Sequence, residues 1–175
     1  MSGVLLVVGA GEGLGASIGR RFAKEGFKVA LASRNLEKVS AICETVSGAQ
    51  GFSCDATRED QVKLLFDQVT ASLGTPDVVV FNASGRVRKS ILDIESDEFI
   101  QAWMAACHGG FLVGREAARK MTKKGVGTIL FTGATASVKS YANSAGFAVG
   151  KFGLRALAFS MARELGPREI GRAHV

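Results

Sequence analysis

The sequence predicts one domain of the α/β class, with a doubly wound parallel sheet in a three-layer α/β/α arrangement. Short apolar runs rich in β-branched and aromatic residues alternate with amphipathic segments along the chain. Continuous apolar runs are typical of parallel strands buried on both faces. Right-handed strand–helix–strand crossovers then place helices on both sides of the sheet. Because no linker or internal repeat interrupts the alternation, residues 1–175 are predicted to be a single domain.

The apolar runs predict five strands, at residues 4–8, 29–32, 51–54, 78–81 and 128–132. The amphipathic segments between them predict five helices, at residues 14–25, 36–46, 59–73, 97–123 and 145–165. Residues 170–175 look like the beginning of a sixth strand. Four glycines follow predicted helices and are expected to cap them: Gly26, Gly48, Gly74 and Gly125.

The net charge of +6 is unevenly distributed. Eleven basic and three acidic residues follow position 100, which gives +8 there and −2 in the first hundred residues. The basic residues form no run longer than two and are not interleaved with aromatics, so nucleic-acid binding is not predicted. Solvated helix surfaces, or a field that attracts a phosphorylated cofactor, explain the charge better.

Membrane insertion and metal binding are not predicted either. No apolar stretch approaches the roughly 20 residues that span a bilayer, and the apolar start of the chain lacks the preceding basic residues of a signal peptide. Cys43, Cys54 and Cys107 are scattered without metal-ligand spacing. We therefore expect free thiols, no metal site and a cytoplasmic location.

A glycine-rich loop follows the first strand and opens the first helix. Glycines there permit a tight turn and let the backbone approach a pyrophosphate, which then rests on the helix N-terminal amides. The strand before the loop and the helix after it favour a Rossmann-type dinucleotide site over glycines that merely form turns. The loop residues expected to bind cofactor are Gly9, Gly11, Glu12, Gly13, Leu14 and Gly15.

The end of the second strand bears on cofactor type. NAD-binding domains usually place an acidic residue there for the ribose hydroxyls, whereas this chain has Ser33, Arg34 and Asn35. Arginine suits a 2′-phosphate, so NADP(H) is preferred over NAD(H). The negative charge of Glu12 in the loop argues the other way, and Arg34 as an ordinary surface residue is the alternative.

The sequence resembles the short-chain dehydrogenase/reductase family over essentially its whole length. The likeness is carried by Gly9-x-x-x-Gly13-x-Gly15, Cys54-Asp55-Ala56, Asn82-Ala83-Ser84-Gly85, Phe147-x-x-x-Lys151 and the run at residues 162–167. It implies that Asp55 and Ala56 border the adenine, that Asn82, Ala83 and Ser84 line the cofactor cleft, and that Lys151 binds the nicotinamide ribose. The alternatives are a turn-forming Asn82 and an exposed helix lysine at Lys151.

The resemblance fails at the catalytic positions. The family pairs a tyrosine, the general acid/base, with the lysine four residues later, and here the tyrosine position is Phe147. The supporting serine falls on Ala134 and the helix asparagine on Ala106. Only Lys151 remains of the four.

Neighbouring polar residues are candidates to replace the missing groups. Thr135 and Ser137 share the loop of Ala134, Tyr141 follows on the same loop, and His108 lies beside the vacant asparagine position. The alternatives are loop hydroxyls that cap local amides, an exposed aromatic and an ordinary helix histidine.

The resemblance also bears on assembly and length. Family members continue past this end with a further strand pair and a substrate-binding segment, which this chain is expected to lack. The helices at residues 97–123 and 145–165 correspond to those through which family members commonly pair. Their small residues favour a homodimer or homotetramer.

Three hypotheses of function follow. The first is an NADP(H)-dependent oxidoreductase acting on a small carbonyl or alcohol substrate. The second is a catalytically impaired dinucleotide-binding module, serving as a sensor or subunit, and the replacements at Phe147, Ala134 and Ala106 favour it. The third is a non-redox enzyme on the same scaffold.

Overall fold

A computed structural model describes residues 2–168 and 170–174 of the chain. Six parallel strands form one sheet in the order β3-β2-β1-β4-β5-β6. The strands are β1 (Val4–Val8), β2 (Lys28–Ser33), β3 (Ala49–Ser53), β4 (Val78–Phe81), β5 (Gly127–Phe131) and β6 (Ile170–His174). All five strands predicted from the apolar runs are present, and the sixth forms where residues 170–175 predicted its beginning.

Helices connect the strands and cover both faces of the sheet. They are α1 (Leu14–Lys24), α2 (Leu36–Glu44), α3 (Glu59–Ser72), α4 (Ser96–Trp103), α5 (Gly109–Lys124) and α6 (Ala145–Leu165). Short 3₁₀ turns occupy Thr135–Ser137 and Gly166–Arg168.

Two hydrophobic cores lie on opposite faces of the sheet. One contains Leu5, Val7 and Leu31 and packs against α1 and α2. The other contains Leu6 and Phe81 and packs against α3, α5 and α6. Because side chains alternate between the two faces of each strand, the wholly apolar β1 feeds both cores. The three-layer, doubly wound arrangement predicted from the sequence is confirmed.

The helix predicted at residues 97–123 is interrupted by a π-helical turn at Met104–His108. The segments on either side have different main partners: α4 packs chiefly on α6, whereas α5 packs chiefly on α3 and β5 and less on α6. A π turn inserts one residue into the helical repeat and so rotates one segment relative to the other. The hydrophobic periodicity alone did not indicate this interruption.

The expected glycine caps hold for three helices of four. Gly26, Gly74 and Gly125 have positive φ values of 81°, 111° and 81° just past α1, α3 and α5. The prediction for Gly48 was wrong, because α2 already ends at Glu44. Gly48 instead takes its φ of 67° in the turn before β3.

The structure also locates the cysteines and the longer helices. Cys43, Cys54 and Cys107 are free thiols. Burial, followed by the charges of Asp55 and Asp60, raises the pKa of Cys54 to about 12, which keeps that thiol protonated.

Within residues 2–168 and 170–174, no helix is both long and apolar enough to cross a bilayer.

Candidate cofactor and active site

The carboxyl ends of adjacent strands open into a cavity of about 370 Å³. Open α/β sheets bind ligands at this edge, where the crossovers diverge to opposite faces. The cavity brings together nine of the residues predicted to bind cofactor: Gly9, Gly11, Ser33, Arg34, Asp55, Ala56, Asn82, Ala83 and Ser84. The others predicted there do not belong to its lining: Glu12, Gly13, Leu14, Gly15, Asn35 and Lys151.

The glycines of the loop divide into two kinds. A Cβ on Gly9, whose φ is +87°, would lie 2.3 Å from the amide nitrogen of Ala83, and one on Gly15 would lie 2.8 Å from Cα of Ala10. These two glycines permit close packing of the protein on itself. A Cβ on Gly11 or Gly13 would meet nothing within 4 Å, so these two border open space.

That open space fits a pyrophosphate. Helix α1 begins beside it at Leu14 without a side-chain cap and without an acidic residue in its first turn. Unopposed N-terminal amides and the helix dipole favour an anion at this position. The loop therefore has both the room and the hydrogen-bond donors that a dinucleotide requires.

Asn82 joins two strand ends across the sheet. Its side-chain amide donates a hydrogen bond to the carbonyl oxygen of Gly9 at 3.0 Å. This contact links the end of β4 to the glycine loop after β1. Asn82 therefore holds the floor of the cavity in place, which goes beyond the turn-forming role considered as its alternative.

Asp55 is held by its own turn. Its Oδ1 accepts hydrogen bonds from the amide and the hydroxyl of Thr57, at 2.9 and 2.8 Å. Its backbone amide donates to Oε1 of Gln61 at 2.8 Å. These contacts fix the backbone of Asp55 and Ala56 at the cavity wall.

The three residues after β2 have separate roles. Asn35 caps α2, since its Oδ1 accepts the amide of Lys38 at 2.9 Å, and Ser33 Oγ donates to the carbonyl of Asn35 at 2.9 Å. Arg34 is exposed and lines the cavity. Within the described part of the chain it joins no ion pair.

A second cavity, of about 510 Å³, lies between the segment after β4, the loop after β5 and the start of α6. Its lining residues are Arg86, Val87, Arg88, Ala134, Thr135, Ala136, Tyr141, Ala142, Asn143, Ser144 and Phe147. Residues 82–84 line the first cavity and residues 86–88 the second, so only Gly85 separates the two linings along this segment. Ala134 and Phe147, which the sequence resemblance aligned with the family's serine and tyrosine, both border it.

Arg86 covers the ring of Phe147. The central carbon of its guanidinium lies 4.7 Å from the ring centroid, within the range of a cation–π contact. A phenyl ring carries no transferable proton, and Arg86 brings positive charge to Phe147, the residue that the resemblance aligned with the family's tyrosine.

Lys151 is buried, with 3% of its surface exposed. Its ammonium donates a 2.7 Å hydrogen bond to the carbonyl oxygen of Thr132, at the end of β5. Burial, and secondarily the positive charge of Arg86, lowers the pKa of Lys151 to about 8. The alternative of an exposed helix lysine does not fit this position.

The candidate replacement groups separate into two pairs. Thr135 and Tyr141 border the second cavity, whereas Ser137 and His108 do not. Ser137 is 1% exposed, and its Oγ accepts the amide of Ala134 at 3.0 Å. The ring of His108 packs between Trp103 and Phe111, with centroids 5.9 and 6.2 Å away.

Ala106, which the resemblance aligned with the family's asparagine, is fully buried. A Cβ on Gly150 would lie 2.7 Å from the Ala106 methyl group, so the π turn and α6 are in close contact here. This contact leaves no room for a larger side chain without movement of one helix.

Helix α4 packs against both walls of the second cavity. A Cβ on Gly85 would lie 2.6 Å from Cα of Ala102, and one on Gly146 would lie 3.3 Å from the Ala102 methyl group. Gly85 precedes Arg86 and Gly146 precedes Phe147, so Ala102 touches the backbone beside each. Sequence reasoning missed Arg86 and Arg88, because neither arginine falls in a recognised motif. It also missed Ala102, which reads as an ordinary apolar helix residue.

Comparison with known proteins agrees with this arrangement. Residues 3–174 match the short chain dehydrogenase family. The chain is 32% identical over 161 residues to the 3-oxoacyl-[acyl-carrier-protein] reductase MabA of Mycobacterium avium, covering 92% of this chain and 60% of that protein. It is 29% identical to carbonyl reductase family member 4 of Danio rerio, covering 97% and 72%.

Solved structures are similar over the same extent. A short-chain dehydrogenase from Rhodopseudomonas palustris superposes with a TM-score of 0.93 at 41% identity, covering 98% of this chain and 82% of that one. An NAD⁺-bound xylitol dehydrogenase gives 0.90 at 30% identity, covering 96% and 66%. The chain spans about 60% of the length of the first two curated relatives. With its glycine loop, its sheet order and Lys151 in place, the chain belongs to the short-chain dehydrogenase/reductase family.

Proposed function

We propose that this chain is an NADP(H)-dependent oxidoreductase that acts on a carbonyl or alcohol substrate. The observation that carries the proposal is the pair of cavities along one edge of the sheet. The first contains the glycine loop and the strand ends that a dinucleotide requires, and the second adjoins it at Gly85. Lys151 lies one helical turn after Phe147, which lines the second cavity. When bound, the nicotinamide supplies or accepts a hydride.

The preference for NADP(H) rests on Arg34. It lines the first cavity, is exposed and has no carboxylate partner in the described part of the chain, so its guanidinium is available to a 2′-phosphate. Glu12, the residue that argues for NAD(H), does not line the cavity.

Titration of the purified chain with NADPH and NADH, followed by cofactor fluorescence, tests this preference. A charge-assisted contact to phosphate gives roughly tenfold to hundredfold in affinity. We expect Arg34→Ala to weaken NADPH binding by that factor and to leave NADH binding unchanged. The control is Arg20→Ala, which removes an arginine from the outer surface of α1. Equal affinities for the two cofactors in the unaltered chain would contradict the preference.

The proton that accompanies hydride transfer needs a donor other than Phe147. We propose that the hydroxyl of Thr135 donates this proton, because Thr135 borders the second cavity. Water would then return a proton to the hydroxyl. Lys151 would hold the nicotinamide ribose and contribute positive charge. Ser137 would act indirectly, since its hydrogen bond to the amide of Ala134 shapes the turn that carries Thr135.

A matched set of variants tests these roles in a carbonyl-reduction assay. We expect Thr135→Val to lower kcat by about 10²-fold. Lys151→Ala should lower kcat and also weaken cofactor binding. Ser137→Ala should have a smaller effect on kcat with a loss of thermal stability. An unchanged kcat in Thr135→Val would remove Thr135 from the mechanism and leave Tyr141 as the hydroxyl to test.

The second candidate function is a dinucleotide-binding module without dehydrogenase activity. It is favoured by Phe147, Ala134 and Ala106, which replace three of the four polar groups of the family. The titration combined with a turnover assay separates the two functions. Tight NADPH binding with no oxidation of NADPH across a panel of aldehydes and ketones would support the module.

We further propose that the chain forms homo-oligomers through α5 and α6. Three aromatic residues on these helices are exposed, Phe111 by 39%, Phe152 by 43% and Phe159 by 49%. Exposed apolar side chains grouped on adjacent helices are typical of association surfaces. Sedimentation should give a dimer or tetramer at micromolar concentration, and Phe152→Glu should dissociate it. A monomer at that concentration would contradict the proposal.

A further inference from the structure

The second cavity has a distinctive charge. Two arginines, Arg86 and Arg88, line it, and its lining contains no aspartate or glutamate. Ligand pockets usually combine apolar walls with a few charged or polar groups that fix the ligand's orientation. Here the apolar surface comes from residues such as Val87, Ala134 and Phe147, and the charge is entirely positive.

Neither arginine is neutralised by the protein. In the described part of the chain, neither Arg86 nor Arg88 forms an ion pair, whereas the adjacent Lys89 pairs with Glu98 at 2.6 Å. A carboxylate is therefore within reach of this segment but binds the lysine that lies outside the cavity. The guanidinium donors on the cavity side are left for a ligand.

The position of Arg86 is also defined. Its guanidinium lies over the ring of Phe147, with its central carbon 4.7 Å from the ring centroid, although the residue as a whole is exposed. A planar guanidinium held against an aromatic ring keeps its edge donors free for a bidentate contact with a carboxylate. The ammonium of Lys139, 5.6 Å from the ring centroid of Tyr141, adds a third positive charge beside a residue of the same lining.

We propose that this cavity binds a carboxylate-bearing ligand through Arg86 and Arg88. Given the proposed oxidoreductase function, on which this step rests, the substrate is then an oxo acid or the corresponding hydroxy acid. The carboxylate binds the arginines and directs the carbonyl carbon toward the adjoining cofactor cavity. About 510 Å³ accommodates a short acyl chain as well as the carboxylate.

Binding is measured first without turnover, by calorimetry with pentanoate, its neutral analogue pentanamide, and butyl phosphate. Loss of a charge-assisted bidentate contact corresponds to roughly tenfold to hundredfold in affinity. We expect pentanoate to bind at least tenfold more tightly than pentanamide. Arg86→Met should abolish the difference, Arg86→Lys should restore part of it, and Arg20→Met should leave it unchanged.

Equal binding of pentanoate and pentanamide would overturn the proposal, as would a preference for pentanoate that survives the double substitution Arg86→Met, Arg88→Met. Butyl phosphate bound tenfold more tightly than pentanoate would also overturn it, in favour of a phosphate-bearing ligand.

A second arm compares 4-oxopentanoate with its methyl ester as substrates for reduction by NADPH. Faster reduction of the acid supports the substrate class, and equal reduction of both overturns it while leaving the oxidoreductase function intact. If neither is reduced although the pentanoate preference holds, the anion site is supported and the oxidoreductase function fails.

Discussion

Lys151 should make the stability of the protein depend on pH in a way that one substitution can isolate. Burial, and then the charge of Arg86, lowers the pKa of Lys151 from 10.5 to about 8 in the folded chain. The unfolded chain exposes the ammonium to water, so its pKa there is the ordinary 10.5. The folded state therefore holds this proton less tightly than the unfolded state.

The sign and size follow from linkage. Below pH 8 the lysine is protonated in both states, and folding carries the whole cost of burying the charge. At about 1.4 kcal/mol for each pH unit, the fall in pKa corresponds to about 3 kcal/mol. As the pH rises from 8 to 10.5 the folded state is already neutral while the unfolded state still loses its proton, so the cost disappears.

The assay is urea denaturation at pH 7, 8, 9 and 10 for the unaltered chain and Lys151→Met. The substitution also removes the hydrogen bond from Lys151 to the carbonyl of Thr132, a loss of about 1 kcal/mol that is present throughout the series because a neutral amine still donates. We expect the free energy of unfolding of the unaltered chain, relative to the variant, to rise by about 2 to 3 kcal/mol between pH 7 and pH 10.

Lys38→Met is the matched control for this series. Its side chain is exposed on α2, so its ammonium is in water in both the folded and the unfolded chain. The difference between the unaltered chain and this variant should not change with pH. Parallel pH curves for the unaltered chain and Lys151→Met would refute the reasoning.

Two further predictions concern the glycine loop and the missing tyrosine. Gly9→Ala should destabilise the fold by roughly 2–5 kcal/mol, because its φ is +87° and the new methyl would meet the backbone of Ala83. Gly11→Ala should leave the melting temperature unchanged but weaken NADPH binding. If Gly11→Ala destabilised the fold as much as Gly9→Ala, Gly11 would not border open space as described. Phe147→Tyr combined with Ala134→Ser should raise kcat for carbonyl reduction by about 10²-fold. No gain in the double variant would mean that Arg86 or the backbone prevents the hydroxyls from acting.

The sequence predicted those parts of the site that depend on local geometry. The glycine loop could be located because one element ends and another begins there, and only glycine tolerates the φ of +87° observed at Gly9. Arg34 and Asn82 could be located because each directly follows a strand, and the ends of neighbouring parallel strands meet at one edge of the sheet.

Contacts between distant loops could not be predicted in the same way. Arg86 and Phe147 are far apart in the chain, and their approach depends on how the loop after β4 packs on α6. Thr135 and Ser137 were equivalent candidates because both are hydroxyl residues on one loop. The 3₁₀ turn at Thr135–Ser137 buries Ser137 and leaves Thr135 at the cavity. The π turn was missed because α4, with eight residues, gives too few turns for the shift of the apolar face across the added residue to be recognised in the sequence.

The packing of Ala102 has a consequence for how this site can change. Its backbone lies against Gly85 and its methyl group against Gly146, the residues before the arginine and the ring of the cation–π pair. A larger side chain at this buried position would press on Gly146 and displace the start of α6 from the Gly85 segment, although the altered residue does not line the cavity. The width of the second cavity therefore depends on a buried residue that does not line it. Substitution at this position could change which ligand the protein binds without any change in the lining residues.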